Sequence, residues 1–146
     1  MTDLLDANVL IGVFRRADAD SAALRAYLDG RLLRGEAVTF PPLVEAAFLR
    51  IVTNRRIFSD AAAFTEAAKF LQSLQENPAY RETPWTAGTR RQWRMWCESL
   101  KLSGDDVNDA YLAAIASEHG FRLVSRDRGF ARFRGVGWWN PVQHAA

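Results

Sequence analysis

The chain has 146 residues, which is enough for one domain with a hydrophobic core, and we expect a single domain over residues 1–146. Its one cysteine, Cys97, cannot form an intrachain disulfide, so a reducing, cytoplasmic setting is expected. No apolar run approaches the ~18 residues of a transmembrane helix, and the N-terminus lacks the basic segment of a signal peptide, so no membrane association is expected. With two histidines and one cysteine, the composition does not favour a zinc site.

The basic residues are unusual in kind rather than in number. The formal net charge is only +2, but all except two of the 19 lysines and arginines are arginine. One interpretation is the codon usage of a GC-rich genome. The other is phosphate recognition, because the planar guanidinium matches phosphate oxygens in bidentate geometry. Composition does not decide between the two.

Short β-like runs alternate with longer helical runs along the chain. Residues 3–6 are predicted to form a strand that leads into a helix near 8–16. An amphipathic helix is predicted over 20–34, where Leu24, Leu28 and Leu32 recur at four-residue spacing. The later predicted elements are a strand at 37–40, helices at 43–53 and from Ser59 or Asp60 to about 75, a weak strand at 80–83, helices at 89–102 and 107–119, a strand at 121–125, a turn at 129–133 and an edge strand near 136–139. This alternation predicts an α/β fold: a three-layer α/β/α sandwich with a central parallel sheet.

Four acidic residues, Asp6, Glu45, Asp109 and Asp127, stand out because each interrupts an apolar context or follows a predicted strand. Ligands of open α/β sheets bind beyond the carboxyl ends of the strands, so Asp6 and Asp127 are expected at the same rim. Taken singly, each of three acids has a simpler explanation: a helix cap for Asp6, an acid favoured by the helix dipole for Glu45, and a solvated turn for Asp127. Asp109 is harder to dismiss because it is predicted to face the buried side of its helix. The distribution of the four acids over separate α/β units favours one cluster.

A cluster of carboxylates is typical of a divalent metal site. Mg²⁺ and Mn²⁺ prefer carboxylate and water oxygens as ligands. A metal-bound water is a usable nucleophile near neutral pH, and the cation offsets the charge that builds on phosphorus. Two ions about 3.5–4 Å apart would also clamp the attacking and leaving oxygens of an in-line displacement. The acids therefore predict one or two Mg²⁺ or Mn²⁺ ions and hydrolysis of a phosphate ester.

Four segments of the sequence resemble PIN domains, specifically the VapC-type toxins of bacterial toxin–antitoxin pairs. These segments are LLDANVLI at 4–11, PPLVEAAFLRIVTN at 41–54, VNDAYLAAIASEHG at 107–120 and LVSRDRGFARFRGVGWWNP at 123–141. The middle of the chain, 59–102, carries no family motif. The resemblance implies that Asp6, Glu45, Asp109 and Asp127 are the catalytic, metal-binding acids, with Asn8 and Ser125 as auxiliary polar groups beside them.

The resemblance also implies an activity and partners. It implies a metal-dependent endoribonuclease that cleaves RNA, a cognate VapB-like antitoxin and a toxin homodimer. Many relatives carry a second aspartate two residues after the position of Asp127, where this chain has Gly129, so a second metal site is expected to be weaker or filled only with RNA bound. The arginines considered for holding the RNA phosphates are Arg15, Arg55, Arg56, Arg126 and Arg128.

One alternative from another class of protein stays open. A catalytically inactive PIN-fold module would bind RNA or a protein partner without cutting. The presence of all four acids argues against it, because a pure binding module has no need of clustered negative charge.

Overall fold

A sheet of four parallel strands forms the centre of the computed structural model, which describes residues 1–142. The strands are β1 (Asp3–Leu5), β2 (Val38–Thr39), β3 (Arg122–Val124) and β4 (Gly137–Trp139), and their order across the sheet is β2-β1-β3-β4. The first strand of the chain is therefore a central one. Leu4 lies opposite Thr39 on one side and opposite Leu123 on the other.

Helices cover both faces of this sheet, as predicted. Within residues 1–142 they are α1 (Ala7–Phe14), α2 (Ser21–Leu33), α3 (Pro42–Val52), α4 (Phe64–Gln75), α5 (Ala87–Ser99) and α6 (Asp105–His119). Helix α1 packs against α2 and α3, and α3 packs against α4, whereas α5 packs against α6, which contacts β3. Because parallel crossovers are right-handed, α1 and α2, which join β1 to β2, and α6, which leads into β3, cover opposite faces. The predicted three-layer α/β/α sandwich is confirmed.

The core explains why the strands read as continuous apolar runs. Leu4 and Leu5 of β1, and Leu123 and Val124 of β3, are completely buried, as expected for a parallel sheet covered on both faces. The leucine spacing of α2 was also predicted correctly, since Leu24 and Leu28 are buried against this core. No helix within the described residues is long and apolar enough to span a membrane.

Two predicted elements in the middle of the chain were wrong. Helix α4 begins at Phe64 rather than at Ser59 or Asp60, because the Asp60 carboxylate pairs with Arg15 at 3.1 Å instead of capping a helix. The strand predicted at 80–83 reduces to a single bridge between Tyr80 and Val38. Both differences lie in the middle of the chain, where no motif guides the prediction.

The starting ends of β1 and β3 are joined by a buried ion-pair network. Asp3 is completely buried, and its carboxylate accepts hydrogen bonds from Tyr27 Oη at 2.5 Å and from Arg122 Nε at 2.9 Å. Arg31 lies 3.3 Å from the same carboxylate. Burial and the Asp3 charge together raise the pKa of the Tyr27 phenol, which therefore stays protonated and donates. A buried carboxylate is tolerated here because several donors surround it.

Candidate active site

Asp6 follows the last residue of β1 and caps the N-terminus of α1. Its Oδ1 accepts a hydrogen bond from Ala7 N at 2.7 Å, and its backbone N–H donates to Val124 O at 3.0 Å. The first bond fixes the carboxylate at the rim of the sheet, and the second ties it to β3. Burial raises the pKa of Asp6, and the hydrogen bonds from Ser125 and Ala7 oppose that shift.

Ser125 is the hub of the hydrogen bonds around Asp6. Its completely buried hydroxyl donates to Asp6 Oδ2 at 2.7 Å and accepts from Asn8 Nδ2 at 3.1 Å and from Asp127 N at 3.0 Å. A hydroxyl has one hydrogen to donate and two lone pairs, so all of its capacity is used. Asn8 and Ser125 thus lie beside Asp6, where the resemblance placed them.

Asp109 faces Asp6 and Asp127 from α6. Its carboxyl is 23% exposed, and its Oδ2 lies 3.1 Å from Arg132 Nη2. Burial, followed by the negative charges of Asp6 and Asp127, raises the pKa of Asp109 to about 6, while Arg132 opposes the shift. The charges of the three aspartates therefore act on one another, although Asp6 follows β1, Asp109 lies in α6 and Asp127 lies in the loop after β3.

Asp127 is exposed and organises that loop. It caps a short 3₁₀ helix (Arg128–Arg132), because its Oδ1 accepts a hydrogen bond from Gly129 N at 2.8 Å. A β-carbon placed on Gly129 would lie only 3.1 Å from this oxygen. Glycine at position 129 thus leaves room for the Asp127 carboxylate beside the backbone.

Glu45 lies in the first turn of α3, after the carboxyl end of β2. Its Oε2 accepts a hydrogen bond from Gln75 Nε2 at 3.2 Å. Burial, helped by the charges of Glu82 and Glu45, raises the pKa of Tyr80 to about 12. The structure thus places Asp6, Asp109 and Asp127 close enough for their charges to interact. Glu45, the fourth predicted acid, lies beside Gln75 and Tyr80 at the same rim.

Among residues 1–142, no three His, Cys, Asp or Glu side chains are arranged to hold one metal ion. Each acid is instead occupied by a partner: Ser125 for Asp6, Gln75 for Glu45, Arg132 for Asp109 and the Gly129 amide for Asp127. The donor set nevertheless suits a hard divalent cation, because it consists of carboxylates, and the charges of Asp6 and Asp127 add to burial in raising the pKa of Asp109. The Arg132 guanidinium already supplies one positive charge beside Asp109.

The five arginines predicted to hold phosphate have different surroundings. The guanidinium of Arg126 is shared by Asp18 and Asp20, each at 3.0 Å, and also donates to the carbonyl oxygen of Asn8. That engagement makes Arg126 an internal clamp on the start of α1, and phosphate binding by this residue stays a prediction. Arg15 pairs with Asp60 and lies over the Phe58 ring. The exposed members of the set are Arg55, Arg56 and Arg128.

Arg132 was missed by the sequence analysis. It bridges Asp109 at 3.1 Å and Asp106 at 3.2 Å, and its guanidinium lies 4.9 Å from the centre of the Phe133 ring. The sequence holds one signal for it: Asp106 and Asp109 are three residues apart on one helix face, so a cation is expected between them. Nothing in the sequence says which of the arginines supplies that cation.

Comparison with known proteins identifies the family. A family model described as the PIN domain matches residues 4–136. Ribonuclease VapC31 of Mycobacterium tuberculosis is 40% identical over 135 residues, covering 91% of this chain and 94% of that protein, and Ribonuclease VapC25 is 38% identical with the same coverage.

Solved structures agree on the fold. VapBC-1 from nontypeable Haemophilus influenzae superposes with a TM-score of 0.71 at 15% identity, covering 97% of this chain and 98% of that one. VapC20 of Mycobacterium tuberculosis, described as a sarcin-ricin loop cleaving toxin, superposes with a TM-score of 0.67 at 15% identity, covering 92% and 97%. On this fold and on relatives that span nearly its whole length, the chain belongs to the PIN-domain family, as one of its VapC-type members.

Proposed function

We propose that this protein is a metal-dependent endoribonuclease and the toxin of a VapBC-type toxin–antitoxin pair. Relatives that are 34–40% identical to it are named VapC ribonucleases, which supports the ribonuclease activity. The observation that carries the metal dependence is the convergence of Asp6, Asp109 and Asp127, where the charges of Asp6 and Asp127 add to burial in raising the pKa of Asp109. Aspartates gathered in this way from three segments are stabilised by a cation.

In the proposed site, Asp6, Asp109, Asp127 and Glu45 hold Mg²⁺ or Mn²⁺. The ion supplies an activated water and offsets the charge on the phosphate. The protein's own contribution is positional: Ser125 and Ala7 fix the rotamer of Asp6, and Ser125 also receives the Asp127 amide. Asp109 gives up its proton more readily once a cation neutralises its neighbours. The exposed arginines Arg55, Arg56 and Arg128 are proposed to contact the RNA backbone.

One tightly bound ion is the proposed resting state. A side chain at position 129 would crowd the Asp127 carboxylate, since its β-carbon would lie 3.1 Å from Oδ1. Gly129 instead donates its amide to that carboxylate, so this position adds no negative charge to the site. A second ion is proposed to bind only when RNA supplies further oxygen ligands.

The proposed protein partners are a VapB-like antitoxin and a second copy of this chain. Similar solved structures include VapBC-1 from nontypeable Haemophilus influenzae and VapBC2 from Rickettsia felis, the latter bound to a DNA fragment from their promoter. Because the site is acidic, the antitoxin is proposed to place a basic side chain, such as arginine, near Asp6 and Asp109 and to compete there with the metal.

Cleavage of RNA by the purified protein tests the proposal. We expect Mg²⁺ or Mn²⁺ to support cutting, EDTA to stop it, and Asp6→Asn to lower the rate by roughly 10²-fold or more. Asp29→Asn is the matched control, because Asp29 is an exposed acid on α2 far from these hydrogen bonds. If the parent protein binds RNA but does not cut it with either metal, the inactive binding module is the correct interpretation.

A further inference from the structure

Among residues 1–142, Arg132 is the one cation whose side chain forms an ion pair with an acid of the cluster Asp6, Asp109 and Asp127. Its Nη2 is shared by Asp109 at 3.1 Å and Asp106 at 3.2 Å. Its Nη1 would lie 3.3 Å from a β-carbon on Gly129, the residue whose amide binds the Asp127 carboxylate. The guanidinium therefore lies against Asp109 and next to Gly129 in the loop that carries Asp127.

The contacts that hold Arg132 there are easily broken. The side chain of Arg132 is 33% exposed, and that of Asp106 is 53% exposed. Ion pairs with this much access to water are weak, because solvent and salt screen them. A divalent ion that binds Asp109 would therefore displace the guanidinium at a small cost in free energy. The ion pair with Asp106 alone would then hold the guanidinium only weakly.

Once displaced, the guanidinium is within reach of the substrate. A phosphate that binds the same ion as Asp109 would lie next to this carboxylate, and Arg132 Nη2 already lies 3.1 Å from Asp109 Oδ2. The planar fork of arginine suits this bidentate contact with phosphate.

We propose that Arg132 is an RNA-phosphate-binding residue, which rests on Asp109 in the free protein and passes to the substrate phosphate when Asp109 takes up the metal ion. This inference rests on the proposed function. In this arrangement the guanidinium offsets charge on the phosphate from the side of Gly129, where the chain supplies no further carboxylate for a second ion.

Metal affinity of the free, full-length protein gives the first test. Arg132→Gln removes the charge but keeps a polar side chain, and Arg134→Gln is the matched control because Arg134 is an exposed arginine two residues further on. We expect isothermal titration with Mn²⁺ to show binding about two- to fivefold tighter for Arg132→Gln than for the parent, since an exposed competing ion pair is gone. Arg134→Gln and the charge-preserving Arg132→Lys should bind Mn²⁺ like the parent.

RNA recognition gives the second test. In EDTA, fluorescence anisotropy should give Arg132→Gln and the parent the same affinity for an RNA oligonucleotide, because Arg132 is then still engaged by the protein. With Mg²⁺, kcat/KM of Arg132→Gln should fall at least tenfold. The slope of log(kcat/KM) against the logarithm of the salt concentration should be shallower by about 0.7–0.9 for Arg132→Gln than for the parent, as expected when one phosphate contact is lost.

The outcomes separate this inference from the proposed function. Metal binding by Arg132→Gln that is no tighter than the parent's, or RNA affinity that falls as much in EDTA as kcat/KM falls with Mg²⁺, would overturn the role of Arg132. If the parent binds Mn²⁺ and cuts RNA but Arg132→Gln behaves like Arg134→Gln, only this inference fails. If the parent neither binds Mn²⁺ nor cuts RNA, both fail. Thermal melts of each variant establish that it is folded.

Discussion

Replacing Asp109 with asparagine should stabilise the metal-free protein while removing its activity. Asparagine keeps the shape of the side chain and can still accept a hydrogen bond from Arg132, but it carries no charge toward Asp6 and Asp127. The pKa of Asp109 is raised from its ordinary value of 3.8 to about 6. At about 1.4 kcal/mol for each pH unit, ionising this carboxyl costs the folded state about 3 kcal/mol at pH 7.5.

The direction of the pH dependence follows from proton linkage. A raised pKa means that the folded protein holds the Asp109 proton more tightly than the unfolded chain does. The stability that this proton contributes is fully present below about pH 4, and it is lost as the pH rises through about 6. The advantage of Asp109→Asn over the parent should therefore grow between pH 4 and pH 7.5.

Urea unfolding in EDTA at pH 5 and pH 7.5 measures this difference. Asp105→Asn is the control, because Asp105 is an exposed acid in the first turn of the same helix. Adding Mg²⁺ at a hundred times its dissociation constant should stabilise the parent by about 2.7 kcal/mol and Asp109→Asn by clearly less. If the variant is less stable than the parent in EDTA at pH 7.5, and Mg²⁺ stabilises both equally, Asp109 is a structural residue and the reasoning is refuted.

Three further substitutions test other parts of the site. Ser125→Ala should lower the free energy of unfolding in urea by about 2–4 kcal/mol, because a buried hydroxyl with three hydrogen bonds is lost, whereas Ser117→Ala on the exposed face of α6 should change it little. Arg126→Gln should lower the free energy of unfolding by about 1–3 kcal/mol, because Asp18 and Asp20 lose their shared cation. Unchanged stability would mean that this clamp contributes nothing. Glu45→Gln should slow single-turnover RNA cleavage by roughly 10²-fold with little change in melting temperature, and full activity would remove Glu45 from the site.

The rim of the sheet could be predicted from the sequence because it depends on local pattern and on one topological rule. Asp6 and Asp127 each follow an apolar run, and the carboxyl ends of neighbouring parallel strands meet at one edge. Asp109 could be added because its helix has a buried side, and a charge there calls for a partner. These inferences need only periodicity and strand order.

The partners of individual charged residues could not be predicted in the same way. Arg126 and Arg132 lie six residues apart in one loop region, yet the first is held by Asp18 and Asp20 and the second by Asp106 and Asp109. Which carboxylate an arginine meets depends on how α2 and α6 pack on opposite faces of the sheet, and the sequence carries no local signal for that. The same limit hid the burial of Asp3.

Because β1 is a central strand, the site is intact only while the middle of the sheet is folded. Asp6 and Ser125 are 119 residues apart in the chain, yet one hydrogen bond joins them across the β1–β3 pairing. Fraying of the outer strand β4 leaves this pairing in place, whereas parting β1 from β3 disrupts the middle of the sheet, where we expect the slowest hydrogen exchange. Cleavage activity and the slowest-exchanging amides should therefore disappear at the same denaturant concentration, so that no partly folded form of this nuclease retains the ability to cut.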